Sequence, residues 1–303
     1  LKKKFKVNVL IRKNTNIQNL EKIRSKINIF YGDLREINSL DSAISQSDVI
    51  FHVAADYRLW SRNPKEIYDS NVRGTENICI KTTQFKKKLI YTSSVATLGI
   101  KPNKQSDEDT PVSFSNMVGD YKKSKYLAEK IVDKFIKNKK MQGIIVNPST
   151  PIGPGDIKPT PTGKIIYDLL NGKMPAYVDT GLNIVHVDDV AEGHFLALRY
   201  GKVGERYILG GENLEFKEFL DHISEFGKKP RVSIRLNPSH LIPFAYINEI
   251  ISKYFINKDP TLTIAGLKMS TKKMFFSSEK AKKKLRYRPR TVKSAIKDAV
   301  NWT

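Results

Sequence analysis

The sequence predicts an α/β protein with a doubly wound parallel sheet, followed by a smaller and mostly helical region. Three observations predict this fold. Short, nearly continuous apolar runs recur between Val7 and Asn147, as is typical of strands buried on both faces. Segments with helical periodicity separate these runs, which indicates a parallel sheet with crossover helices. Beyond Pro148 the composition changes, and prolines and glycines introduce a mainly helical pattern.

The apolar runs give the strands of the predicted sheet in chain order. They occupy residues 7–11, 27–31, 48–53, 89–92 and 144–147, with later short runs at 184–187 and 207–209. Helices are predicted between them. One begins near Pro64, because proline suits the first turn of a helix, and another begins near Tyr121.

This order of elements predicts two domains. We assign residues 1–150 and 184–211 to the domain that contains the parallel sheet. Residues 151–183 and 212–303 form the second domain, which we expect to cap a substrate site. Ligands of such sheets bind outside the carboxyl ends of the strands, where the two domains meet.

One part of the usual pattern is missing from the sequence. A dinucleotide-binding sheet opens with a strand, a glycine-rich turn and a helix, whose backbone N–H groups meet the pyrophosphate. The chain has no glycine before Gly32 and no G-x-G-x-x-G motif. We therefore interpret residues 1–6 as the end of a first helix and residues 7–11 as the second strand. We expect the chain to be truncated, with roughly 30 residues of strand, turn and helix upstream of Leu1.

Composition limits the classes of function. The chain has 303 residues, a net charge of +22 and one cysteine, Cys79, which excludes a disulfide framework. No apolar run approaches the ~18 residues of a membrane span, so we expect a cytoplasmic protein. The five histidines are dispersed, and we expect no metal site. The lysines are scattered rather than clustered in a patch, so nucleic-acid binding through a basic surface is only a weaker alternative.

A serine, a tyrosine and a lysine are the candidate catalytic residues. Tyr121 and Lys125 lie four apart and face the same side of a helix. A lysine ammonium beside a phenol favours the phenolate, so we expect a lowered tyrosine pKa. Ser94 closes the preceding apolar run and is suited to hold a substrate oxygen. Tyr126 and Lys130 have the same spacing, but only Tyr121 and Lys125 follow a strand that ends in serines and precede another buried strand.

The chain resembles the extended short-chain dehydrogenases/reductases, or NAD-dependent epimerases/dehydratases. Within that family it is most similar to hopanoid-associated sugar epimerases, which are themselves similar to dihydroflavonol 4-reductases. The resemblance covers nearly the whole chain, with a Rossmann-like sheet and a C-terminal substrate domain. The stretches that carry it are His52–Trp60, Tyr91–Gly99, Asn147–Pro154, Pro175–Asn183 and Tyr207–Asn213.

The resemblance implies roles for individual residues. Ser94, Tyr121 and Lys125 would be catalytic, and the last two would also reach the cofactor. It further implies that His52 faces the site, and that Asn71 and the stretch 186–190 are structural. The other residues implied to bind the cofactor are Asp33, Leu34, Val53, Ala54, Ala55, Pro148, Ser149 and Thr150.

Cofactor choice and substrate contacts rest on fewer residues. The second strand ends in Arg12 and has no acid, which favours the 2′-phosphate of NADP, with NAD as the alternative. Alternatively, Arg12 is an ordinary surface cation of a basic protein. We expect Asp56, Tyr57, Ser94 and Asn147 to contact the substrate; Asp56 and Tyr57 can equally be packing residues.

These observations predict hydride transfer between NAD(P) and a carbonyl or secondary alcohol of a small molecule. The sequence does not separate a reductase from an epimerase, and it leaves sugar, polyol and ketone substrates open. A homodimer is compatible with it. The main alternative is a non-catalytic binding protein, or an inactive fragment, that keeps the fold without the glycine-rich turn.

Overall fold

The structure is a computed structural model that describes residues 5–102, 104–256 and 259–303. The prediction for residues 1–6 therefore lies mostly outside the described residues. Eleven strands are present in the described part: β1 (Asn8–Ile11), β2 (Asn28–Tyr31), β3 (Val49–His52), β4 (Lys88–Thr92), β5 (Gln142–Pro148), β6 (Thr150–Ile152), β7 (Ala176–Val178), β8 (Gly181–His186), β9 (Arg206–Leu209), β10 (Glu212–Glu215) and β11 (Ile234–Leu236).

Helices alternate with the first strands and dominate after β10. A π-helical turn, Asp69–Arg73, joins the third and fourth helices. The α-helices of the described residues are α1 (Gln18–Glu21), α2 (Asp41–Ser45), α3 (Pro64–Tyr68), α4 (Gly74–Gln84), α5 (Gly119–Lys139), α6 (Pro161–Leu170), α7 (Val187–Tyr200), α8 (Phe216–Gly227), α9 (Pro238–Tyr254), α10 (Ile264–Ser270), α11 (Glu279–Leu285) and α12 (Val292–Trp302).

The main sheet is parallel and is covered by helices on both faces. β3, β4, β5 and β9 are hydrogen-bonded in that order, all parallel. On β4, Leu89 packs with α5 on one face, while the next residue, Ile90, packs with α7 on the other. This alternation follows from the two-residue period of a strand. The predicted Rossmann-like, doubly wound α/β fold is confirmed.

The structure differs from the prediction of one continuous sheet. β1 pairs in parallel with β2, and within the described residues this pair forms a separate two-stranded sheet. The ladder is thus interrupted between β1 and β3. In the strand order of dinucleotide-binding sheets, the first strand lies at this position. The strand that we expect upstream of Leu1 stays a prediction.

The predicted boundary around residue 184 also differs from the strand pairing. β8 does not join the main sheet but pairs with β6 and β10 in a three-stranded sheet. A short apolar strand looks the same in sequence whichever sheet it joins. Helix α11, which we placed in the second domain, packs on the main sheet through Ala281 and Leu285.

The C-terminal region has its own core. The apolar face predicted for α8, with Phe219 and Ile223, is buried against α12, with Ile296 and Ala299. Within the described ranges, no helix is long and apolar enough to cross a bilayer.

Candidate active site

Ser94 and Tyr121 meet at the carboxyl end of β4. Ser94 follows the strand and caps a short 3₁₀ turn, where its Oγ accepts a hydrogen bond of 3.1 Å from the Ala96 N–H. Tyr121 lies in the first turn of α5, and its phenol is near enough to the Ser94 hydroxyl for that hydroxyl to act against the rise in the Tyr121 pKa. The structure therefore brings together the two hydroxyls that the sequence picked out.

Lys125 is buried one helical turn after Tyr121. Its Nζ donates to the Thr92 carbonyl at 2.8 Å and to the Tyr91 hydroxyl at 3.2 Å. The ammonium also lies 4.8 Å from the centroid of the Tyr91 ring. Burial lowers the pKa of Lys125 to about 8, although the nearby Glu129 carboxylate opposes this shift.

The predicted acidification of Tyr121 is wrong in this structure. Burial of the phenol raises the Tyr121 pKa above its ordinary value, and the nearby Ser94 hydroxyl offsets this only in part. Lys125 directs its ammonium at Tyr91 and Thr92. Spacing on a helix places two residues on one face, but it does not decide which neighbour the long lysine side chain reaches.

A buried carboxylate below the Ser94 turn was missed in the sequence. Glu129 is 4% exposed and lies one turn beyond Lys125 on α5. Its Oε2 accepts hydrogen bonds from Ser93 Oγ, from Thr97 Oγ1 at 2.9 Å and from Asn147 Nδ2 at 3.0 Å. Its Oε1 pairs with Arg206 of β9 at 3.0 Å. The only sequence signal was an acid on the otherwise apolar face of the predicted helix.

Asn147 belongs to this buried network, and its predicted role in substrate binding stays a prediction. It is fully buried, and its amide donates to the Ser94 carbonyl at 3.0 Å as well as to Glu129. The amide nitrogen supports the Ser94 turn, while the buried Oδ1 has no hydrogen-bond partner in the described part of the chain.

A cleft of about 570 Å³ lies at the carboxyl ends of β1, β2 and β3. It contains a cation after β1, an acid after β2, and two small residues followed by polar ones after β3. Its lining includes seven of the residues predicted to bind cofactor or substrate: Arg12, Asp33, Leu34, Ala54, Ala55, Asp56 and Tyr57.

Two of the three carboxylates that line this cleft, those of Asp33 and Asp56, are paired with arginines two residues further along the chain, and the third, Glu66, binds Arg58 at 2.9 Å. Arg35 binds Asp33 through two nitrogens, at 3.0 and 2.7 Å, and lowers the pKa of Asp33 to about 2. Arg58 holds Asp56 in the same way. The Tyr57 hydroxyl donates to the Lys158 carbonyl at 3.1 Å. The cleft thus has three acids paired with arginines, and an exposed Arg12.

The remaining predicted cofactor residues lie beside the cleft and the serine. Val53 is 58% exposed although it directly follows a buried strand. Pro148 ends β5, and Thr150 begins β6. Between them, Ser149 has a buried Oγ with no hydrogen-bond partner in the described part of the chain. A buried hydroxyl without a partner is costly, which fits a site that is completed by a ligand.

A second cavity, of about 630 Å³, begins at the residues just before Tyr121. Val118, Gly119 and Asp120 form one wall, and α9 forms the opposite wall. Most of its other lining side chains are apolar or aromatic, including Leu59, Trp60, Tyr246, Ile250, Tyr254, Ile264 and Ala265.

Comparison with known proteins decides the family. A model described as "NAD dependent epimerase/dehydratase family" matches residues 1–210 of the chain. The chain belongs to this family. The resemblance to the NAD-dependent epimerases/dehydratases is therefore confirmed, and the chain is an oxidoreductase- or epimerase-type enzyme of the extended short-chain dehydrogenase/reductase class. The similarity to hopanoid-associated sugar epimerases stays a prediction.

Several members of the epimerase/dehydratase family are similar over nearly the whole chain. A Synechocystis protein named "Putative dihydroflavonol 4-reductase" is 38% identical, with 100% of this chain and 88% of the relative covered. Sterol demethylase protein B of Methylococcus capsulatus is 26% identical over 98% of this chain and 90% of its own length. Among solved structures, gox2253 has 45% identity and a TM-score of 0.88, covering 99% of this chain and 91% of its own.

Two further family positions have structural roles here. His52 is buried and its Nε2 is 3.0 Å from Thr75 Oγ1. Burial and the Lys125 charge lower the His52 pKa to about 3. Asn71, in the π-helical turn, accepts from the Asp56 N–H at 2.7 Å and donates to the Asp56 carbonyl at 2.8 Å. Asn71 therefore fixes the loop that follows β3.

Proposed function

We propose that this chain reduces a ketone to a secondary alcohol with NADPH. The observation that carries the proposal is that the Ser94 and Tyr121 side chains meet at the carboxyl edge of the main sheet, with Lys125 buried beside them. A carbonyl oxygen that enters between the two hydroxyls accepts a hydrogen bond from each of them. This stabilises the negative charge that develops on that oxygen.

Tyr121 is the proton donor in this proposal. Because burial raises its pKa, the phenol stays protonated near neutral pH, which suits a general acid. Ser94 orients the oxygen and is itself held by Thr97 and Asn147, which both bind the Ser94 carbonyl. A nicotinamide supplies the hydride when it is bound.

The residues present fit a nicotinamide dinucleotide in the 570 Å³ cleft. Ala54 and Ala55 allow close approach, Asp33 offers an ionised acceptor, and the Ser149 hydroxyl still needs a partner. Arg12 follows β1 without an acid beside it, and an arginine at this position suits the 2′-phosphate of NADP. NADP is thus the proposed form, within a family described as NAD dependent.

An apolar ketone is the substrate class that the second cavity supports. Aromatic and aliphatic side chains line most of the cavity, which starts next to Tyr121. The relatives' names point the same way, since they include a dihydroflavonol reductase, a sterol demethylase protein and a cinnamoyl-CoA reductase. A sugar epimerase of the hopanoid-associated kind uses the same hydroxyl pair, but it would leave NADPH unconsumed at the end of turnover.

The test measures NADPH consumption with a panel of apolar ketones for the wild type, Tyr121→Phe and Tyr126→Phe. We expect Tyr121→Phe to lower kcat by about 100-fold or more. Tyr126→Phe is the matched control, because Tyr126 lies on the same helix with a lysine four residues later. Equal losses in both variants would contradict the assignment of Tyr121.

Cofactor binding is measured separately by NADPH fluorescence, with this chain and with a version extended upstream of Leu1. We expect Arg12→Glu to weaken NADPH binding by about tenfold and to leave NADH binding nearly unchanged, because only NADPH carries the 2′-phosphate. NADPH binding without turnover of any ketone would favour a non-catalytic binding protein.

A further inference from the structure

Helix α9 exposes an apolar face to solvent. Phe244, Ile247, Ile251 and Phe255 recur at intervals of three and four, so they lie on one side of the helix and its C-cap. We call these four residues the outer stripe. Their exposure ranges from 38% to 79%. A neighbouring side of α9, with Ala245 and Ser252, is buried against the protein.

Apolar surface continues from the outer stripe towards the second cavity. Tyr246 and Tyr254 are 58% and 68% exposed, and both line that cavity together with Ile250. A surface helix of an isolated globular domain normally carries polar residues on its outward face. Contiguous exposed apolar residues of this kind mark a site that binds a partner or a membrane.

The sequence around the outer stripe is strongly basic. Between residues 228 and 273 there are nine lysines or arginines and two acids, Glu249 and Asp259. The cations are Lys228, Lys229, Arg231, Arg235, Lys253, Lys258, Lys268, Lys272 and Lys273. Arg231, Arg235 and Lys273 are paired with acids outside this range, and the other six cations still outnumber the two acids. The apolar stripe is thus surrounded in the sequence by positive charge, which is complementary to an anionic surface.

We propose that α9 docks this chain on the surface of an anionic lipid bilayer. The outer stripe enters the boundary between headgroups and acyl chains, and the neighbouring lysines contact lipid phosphates. Docking needs no turnover, so the proposal is independent of the proposed function. It also places the mouth of the 630 Å³ cavity beside the source of an apolar ligand.

A second copy of the chain is a poorer occupant of this face. A symmetric dimer brings the same patch of both subunits together. Here that arrangement would oppose two regions that each have a large excess of cations. Like charges at short range repel, whereas an anionic bilayer attracts both of them.

Contacts in the C-terminal half of α9 make the helix suitable as a fixed docking element. Arg62, in the loop before α3, donates to the Ser252 carbonyl at 2.7 Å and also to the Ile256 carbonyl. Glu249 accepts a 2.8 Å hydrogen bond from the N–H of Ile264, at the start of α10. These contacts attach the helix to both neighbouring segments, so docking would orient the whole molecule.

Vesicle sedimentation with the full chain tests the proposal. We expect binding to vesicles of phosphatidylcholine with phosphatidylserine, weaker binding to pure phosphatidylcholine, and weakening at high salt. Ile247→Glu should reduce binding to anionic vesicles by about tenfold or more, because it removes an inserted apolar side chain and adds a negative charge. Val203→Glu is the matched control, since Val203 is 43% exposed in the loop between α7 and β9 and the charge change is the same.

Two further measurements keep the result unambiguous. Thermal unfolding of both variants reports whether they fold like the wild type. Phe255→Trp introduces a fluorophore into the outer stripe, and its emission should shift to the blue on anionic vesicles. The proposal is overturned if the wild type does not sediment with anionic vesicles, or if Val203→Glu weakens binding as much as Ile247→Glu. It is also overturned if the wild type is a dimer that Ile247→Glu dissociates.

Discussion

Glu129→Gln tests whether the buried carboxylate supports the catalytic turn. Glutamine has nearly the same shape as glutamate but has no charge, and one of its oxygens is replaced by an NH₂ group. In the wild type, one carboxylate oxygen accepts from Ser93, Thr97 and Asn147, and the other pairs with Arg206 at 3.0 Å. The amide can keep its oxygen on the three donors only if its NH₂ group faces the Arg206 guanidinium.

The magnitude follows from these contacts. A hydrogen bond to a charged group contributes about 1.5–3 kcal/mol, and removing one partner of a buried ion pair costs about 3–5 kcal/mol. Arg206 keeps a second partner, Asp133 at 3.0 Å, and its side chain is 25% exposed, so the lower end applies. We expect a loss of about 2 kcal/mol in the free energy of unfolding, or roughly 3 °C in Tm.

The assay is thermal and urea unfolding, with Asp133→Asn as the matched control. Asp133 pairs with the same arginine, but it does not touch the Ser94 turn, so its loss should cost under about 1 kcal/mol. In turnover assays Glu129→Gln should lower kcat more than it changes KM. Glu129 binds Thr97 and Asn147, and these two side chains in turn hold the Ser94 carbonyl. Equal stability and equal kcat for the two variants would refute the reasoning.

Two other substitutions test separate parts of the cleft. Asn71→Ala leaves the backbone N–H and carbonyl of Asp56 without their partner and should cost about 2–3 kcal/mol of unfolding free energy. The control is Asn171→Ala, at an exposed position, which should cost under about 0.5 kcal/mol. Equal effects of the two substitutions would contradict the role of Asn71. Asp33 has its pKa lowered to about 2, so its ion pair stabilises the fold above about pH 4, the unfolded pKa, and that contribution is lost as the pH falls towards 2. Asp33→Asn should therefore flatten the pH dependence of Tm in that window; an unchanged slope would count against the Arg35 pairing.

Most of the fold was predictable because it depends on patterns that are local in the chain. Residues 7–11, 27–31 and 89–92 are apolar and short, and the structure forms strands there. Pro64 begins a helix as expected. The placement of Ser94 and Tyr121 also followed from chain order, because the carboxyl ends of neighbouring parallel strands meet at one edge of a sheet.

What the sequence did not predict depends on contacts between distant residues. Glu129 and Arg206 are 77 positions apart in the numbering, and nothing local shows that they pair. The 184–186 run was assigned to the main sheet, but it joins β6 because strand pairing is decided by packing across the whole domain. The direction of the Lys125 side chain is a third case. The sequence around Lys125 shows which face of the helix it lies on, but its partners on β4 are more than 30 residues away in the chain.

The charges around Tyr121 bear on the direction of the reaction. The phenol has a raised pKa, the nearby Ser94 hydroxyl opposes the shift, and the buried Lys125 has a pKa of about 8. Carbonyl reduction needs a protonated phenol, and alcohol oxidation needs a phenolate. We therefore expect the kcat of reduction to be level from about pH 6 to pH 8, and the kcat of oxidation to rise with pH over the same interval. Steady-state pH profiles of reduction and of oxidation measure this. Because the Lys125 pKa is about 8, a change of the reduction rate near pH 8 would come from Lys125, and Lys125→Met should remove it. A reduction rate that falls with pH from 6 to 8 in Lys125→Met would show that Tyr121 is not the acid, because a phenol with a raised pKa does not lose its proton in that interval.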